Sequence, residues 1–110
     1  MINPQQEGQR IAAEYLDMLG WVRSLRRVIN DEIYPAADAE KREIRLRQAD
    51  QKENDAETFL SAEFDRWRKD PSPEAKEVLK GVLALLGPRH DLGFIGNRVV
   101  GHIRRMLTTL

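Results

Sequence analysis

Two histidines, His90 and His102, are the residues of this 110-residue chain best suited to proton transfer near neutral pH. His90 precedes Asp91, an order in which a carboxylate can orient an imidazole as a base. No cysteine exists to serve as its nucleophile, and no serine lies beside the pair in sequence. The simpler reading is a surface histidine next to a helix-capping aspartate. Neither histidine belongs to an H-E-x-x-H or a Glu-x-x-His arrangement, so no metal site is expected. Carboxylates are abundant, but between Lys41 and Glu57 they fall among other charged residues and not in the apolar surroundings that raise a pKa. The expectation is a non-enzymatic protein without a cofactor.

Glycines offer a second kind of chemistry. Gly93-Phe94-Ile95-Gly96 resembles the Gly-x-x-Gly turn of KH-type nucleic-acid modules, but that module needs a three-stranded sheet and no strand pattern occurs here. Gly87 to Gly101 lacks the lysine and the spacing of a phosphate loop. The last two helices, joined through Gly87–Asp91, have the spacing of a helix-turn-helix. Leu92, Gly93, Phe94 and Ile95 stand where base-reading residues would be required, which favours an ordinary αα-hairpin.

Recognition is the chemistry that remains. Arg98, His102 and Arg105 recur at i, i+4 and i+7, so they form one line on the last helix, and Phe94 lies one turn before Arg98. This line falls away from the apolar Leu92, Val99, Ile103, Met106 stripe and is expected to face solvent. An aromatic side chain beside exposed cations can anchor an acidic protein segment or, as a second choice, a nucleic-acid backbone. The plainer alternative is that the arginines complement the helix dipole and keep the bundle soluble. Phe94, Arg98, His102 and Arg105 are the expected partner-binding residues.

These residues need a scaffold, and the stretch from Ile11 to Ile33 supplies its centre. Ile11, Tyr15, Met18, Val22, Leu25, Ile29 and Ile33 recur at steps of four and three, the pattern of a buried helical seam. Leu16, Leu19, Trp21 and Val28 widen the apolar arc, so the helix should touch at least two neighbours. Asn3-Pro4 suits a helix start, and Tyr34-Pro35 ends the helix. Gly20 is weighed equally as a point of close backbone approach and as an exposed glycine without consequence.

A second helix is expected from about Pro35–Asp38 to Lys69. Only Ile44 and Leu46 are large and apolar between Lys41 and Glu57, so this stretch reads as solvated, projecting past the bundle, with a frayed or kinked point near Asp50–Asp55. Ala56, Leu60, Phe64 and Trp67, with Phe59 alongside, return it to the core; helical spacing favours packing over base stacking. Ser72, Pro73 and Glu74 open a third helix with the face Ala75, Val78, Leu79, Val82, Leu83 and Leu86, stopped by Gly87-Pro88. The last helix is expected to start at Asp91 as N-cap, or near Asn97, and to bury Leu92, Ile95, Val99, Ile103, Met106 and Leu110. The predicted fold is all-α: one domain over residues 1–110, a small, mostly antiparallel bundle of about four helices, with the first central and the second long and polar.

Composition agrees. The 18 basic and 18 acidic residues cancel, which leaves no global field to hold a polyanion, although residues 71–110 carry six basic against three acidic side chains. The N-terminal MINPQQEGQR has neither the basic start nor the apolar centre of a signal peptide, and no run is long enough to span a membrane. A cytoplasmic protein-interaction module with a regulatory or assembly role follows as the expectation. Its partner is another protein. Self-association, argued from the arc of the first helix together with the Phe59–Trp67 and Val78–Leu86 faces, is weighed equally with a bundle that covers all of these. A nucleic-acid-binding regulator is the alternative.

Overall fold

Asn3 and Gln6 set the first helix in place. The Gln6 amide donates to Asn3 Oδ1 at 2.8 Å and the Asn3 amide donates to Gln6 Oε1 at 3.1 Å, a reciprocal cap, with Pro4 as the first helical residue. The computed structural model describes residues 3–31 and 38–108. Four helices follow in order: α1 (Pro4–Asp31), α2 (Ala39–Arg68), α3 (Pro73–Leu86) and α4 (Gly93–Thr108). No strand occurs among the described residues, and the helices form the small bundle that the apolar spacing predicts.

At 1.5 Å per residue, α1 and α2 are about 42 and 45 Å long, twice the length of α3. The molecule is accordingly elongated, 58 × 29 × 21 Å. One end is a four-helix body in which α1 lies against both α2 and α3, while α4 lies against α2 and α3. The other end is a two-helix arm made of the second half of α1 and the first half of α2. The main core gathers Ile11, Ala12, Tyr15 and Leu19 of α1 with Leu60 and Phe64 of α2, Val78, Leu79, Val82 and Leu86 of α3, and Leu92, Val99 and Ile103 around α4. Along the arm only Val22, Ile29 and Ala49 are fully buried, and they stand outside that core.

The α1–α3 crossing is the tightest in the body. A Cβ on Gly8 would collide with the backbone of Val78 and Val82, and one on Gly81 would collide with the backbone of Gln5. Two glycines far apart in the chain, one near the start of α1 and one within α3, therefore let the helices touch backbone to backbone. Gly20 has open space around it, so of its two readings the exposed one holds.

Several boundaries match expectation. Ser72 Oγ accepts from the Ala75 amide at 3.3 Å, Pro73 opens α3, and α3 ends before Gly87, whose amide donates to Leu83 O at 2.7 Å. The Ile33 and Leu110 positions, the Tyr34-Pro35 stop and the Pro35–Ala37 restart lie outside the described residues.

Three expectations need correction. The frayed point at Asp50–Asp55 is absent: α2 runs unbroken, because Ala49 and Ala56 are buried there and Arg26 of α1 bridges Asp50 (2.8 Å) and Glu53 (2.7 Å). Asp91 does not cap α4. Its carboxylate is held by Arg89 at 3.1 Å and Arg23 at 2.7 Å, and the helix starts at Gly93, ahead of Asn97. Gly93 has φ 76°, the only positive φ among the described residues, and so turns the chain into α4 as other residues rarely can. Within the α1 seam, Met18 and Leu25 are only half-buried, while Leu19 takes a fully buried position.

Candidate recognition cleft between α2 and α4

The site begins with how α4 is oriented. Gly96, Val99, Val100 and Ile103 face the core, which turns Phe94, Asn97, Arg98 and Arg105 to solvent. Phe94 is 76% exposed, the most exposed of the large apolar side chains among the described residues. Arg98 makes no ion pair or hydrogen bond among the described residues and stands beside an open cleft of about 330 Å³. Ser61, Phe64, Asp65 and Arg68 of α2 form one wall; Ile95, Arg98, Val99 and His102 of α4 form the other.

The floor is aromatic. The His102 ring lies 5.9 Å from the Phe64 ring at a 34° tilt, and the Arg68 guanidinium carbon is 5.8 Å from the same ring. Arg68 also pairs with Asp65 at 2.9 Å, one helical turn apart. That pair neutralises itself, so Arg98 contributes the uncompensated positive charge of the cleft. Arg105 Nη2 lies 3.3 Å from His102 Nδ1 on the same helix.

The four residues expected to bind a partner thus divide. Arg98 and His102 share the cleft, Phe94 stands outside it one turn away, and Arg105 folds along its own helix, donating to Gly101 O at 3.4 Å. Arg104 donates to Gly87 O at 2.9 Å and caps the end of α3. Ser61, Asp65 and Arg68 are the residues that sequence reasoning missed. They follow one another at steps of four and three as a polar line on α2, and nothing in the sequence shows that α4 lies over it.

The arrangement suits binding of an anion beside an apolar side chain. Among the described residues no three His, Asp or Glu side chains are placed to hold a metal ion, and no helix is long and apolar enough to cross a membrane. A separate apolar void between Ile11, Leu60, Phe64 and Val82 has room for only about 10 Å³. The strongest electrostatic perturbations lie elsewhere: hydrogen bonds from Arg89, then Arg23, pull Asp91 down to about 2, and burial pushes Tyr15 up to about 12.

No family model matches this chain, and no curated protein or solved structure is found to match it.

Proposed function

We propose that this chain is a non-enzymatic protein-interaction module, with a regulatory or assembly role, that receives an acidic segment of a partner protein at the α2–α4 cleft. The observation that carries the reading is Arg98: an unpaired guanidinium at the rim of a 330 Å³ cleft, one turn from the 76%-exposed ring of Phe94. A carboxylate of the partner would pair with Arg98, and an apolar neighbour would cover Phe94, an aromatic-plus-arginine combination common at interface anchors.

Nucleic-acid binding by α4 is the weaker alternative. A phosphate track needs several free cations in line, whereas Arg104 is committed to Gly87 O and Arg105 to its own helix.

The test replaces Phe94 with a photo-crosslinking phenylalanine analogue in the source cell, identifies the captured protein, and measures its binding to parent and Phe94→Ala/Arg98→Ala chains. Expected is an at least tenfold weaker complex with a shallower salt dependence, both chains being equally helical. Equal binding by the two would overturn the proposal. Steep, salt-dependent binding of duplex DNA or RNA, lost in the variant, would replace it with the alternative.

A further inference from the structure

The two edges of the arm are unlike. On one edge the seam between α1 and α2 is closed by Arg26, which reaches across to Asp50 and Glu53. On the other edge the Lys52 ammonium lies over the Trp21 ring, and Trp21, Val28 and Ile44 are the exposed large apolar side chains. Met18, Trp21, Leu25 and Val28 follow one another at steps of three, four and three, which is the spacing of a second heptad seam on α1. Val22, Ile29 and the residues buried with them use the first seam, against α2. The outer members of the second are uncovered: Trp21 and Val28 are each 48% exposed, while Met18 packs against the main core and Leu25 is half-buried. Ile44 of α2, 47% exposed, lies four and seven residues from Gln48 and Gln51, on the same line as those two and toward the same face.

We propose that this face, centred on Trp21, is where two copies of the chain associate about a two-fold axis, their arms joining into a four-helix bundle. The proposal goes beyond the α2–α4 cleft and does not depend on it.

The choice of a second copy rests on shape and charge. The Trp21 ring, with the Lys52 ammonium 5.5 Å from its centroid, forms a ridge between two hollows of about 270 and 360 Å³. Asp17 and Met18 line the first hollow; Gln48 and Gln51 line the second. A surface made of one ridge and an adjoining hollow is complementary to itself, since a two-fold rotation sets each ridge into the other copy's hollow. Asp17 and Lys52 are the charges lining these hollows, and they cancel, so two copies do not repel and a strongly charged partner finds no countercharge. The heptad spacing calls for a helix as the covering element, and the α1 of a second copy carries the matching repeat.

The size of the face sets the strength. From Asp17 to Asp31 it is about 21 Å long, and two helices make it about 20 Å wide, so a dimer would cover about 800–900 Å² in all. That is less than the roughly 1,200 Å² of stable specific interfaces and calls for a weak, reversible dimer.

Sedimentation of the full chain from about 10 µM to about 1 mM tests this. The weight-average mass is expected to climb from 12.7 kDa toward twice that value. Trp21→Glu and Val28→Glu chains, with parental helicity, are expected to stay monomeric throughout. Arg98→Ala should dimerise like the parent, which separates this surface from the cleft. Because the chain has no cysteine, Gln48→Cys can carry a single nitroxide. Mixed with isotope-labelled parent, it should broaden the indole signal of Trp21 and leave that of Trp67 sharp. A parent monomeric across the range would overturn the proposal and leave the face to a helix of some other protein. A dimer unaffected by either glutamate, or an unbroadened Trp21 signal in the mixture, would also overturn it.

Discussion

The hydroxyl of Tyr15 donates a 2.7 Å hydrogen bond to the carbonyl of Leu92, tying the middle of α1 to the entry of α4. Gly96 makes room for it: a Cβ there would stand 2.9 Å from the tyrosine oxygen and 2.6 Å from Leu92 Cβ. The ring is only 1% exposed, so this is a buried polar contact with its partner supplied.

Tyr15→Phe leaves that carbonyl without its donor and should cost about 1–2 kcal/mol in denaturant unfolding. The pH dependence is the sharper test. Burial first, then the nearby Glu57 and Glu53 carboxylates, push the phenol up to about 12 from its ordinary 10.0. Its contribution to stability is therefore complete below pH 10 and is lost as the pH rises toward 12, because the unfolded chain ionises first. The parent should lose stability across that window more steeply than Tyr15→Phe, and parallel curves would show that the phenol titrates normally.

Gly8 and Gly20 share a helix and should respond oppositely to the same substitution. Gly20→Ala adds a Cβ in open space and should stabilise by about 0.5–1 kcal/mol through helix propensity. Gly8→Ala drives a Cβ into the backbone of α3 and should cost about 1–3 kcal/mol or more. Thermal unfolding of both decides it, and a stabilised Gly8→Ala would mean the α1–α3 crossing is looser than described.

Asp91 gives an acid-side counterpart. Its hydrogen bonds with Arg89, then Arg23, depress its pKa from 3.8 to about 2, so the stability it contributes is present above pH 3.8 and lost as the pH falls toward 2. Asp91→Asn should flatten the acid limb of the stability curve between those values. An unchanged limb would show that the link from Arg23 to the α3–α4 loop adds nothing to folding.

The core offers a graded comparison. Leu60 is fully buried in the main cluster, and Leu60→Ala should cost about 2–5 kcal/mol; Leu25, half-buried on the arm, should cost clearly less on the same change. Equal losses would mean that the arm is as tightly filled as the body.

What the sequence made legible was local. Asn3-Pro4 and Ser72-Pro73 announce helix starts because a cap and its recipient amide lie within three residues. The apolar stripes were legible for a similar reason, since periodicity records which face is buried. It does not record against what. Gly8 and Gly20 look alike in the chain, and only the placement of Val78 beside one of them gives them different roles. Asp91 has the form of an N-cap, yet Arg23, 68 residues away, takes its carboxylate. The cleft was half legible for this reason: Arg98 and His102 share a helix, whereas Ser61, Asp65 and Arg68 join them only once α2 and α4 meet.

The backbone contact of Gly8 with Gly81's helix also constrains the order of folding. Its two sides are separated by some seventy residues, so closing it carries one of the largest loop entropies in the chain. The α1–α2 hairpin needs only a short connection and can form first, in microseconds, without α3. In that hairpin Ile11 meets Leu60 and Phe64 of α2, and its contact with Leu79 and Val82 waits for α3. Substitutions at Gly8 should therefore act mainly on the unfolding rate, and those at Val22, within the hairpin, more on the folding rate.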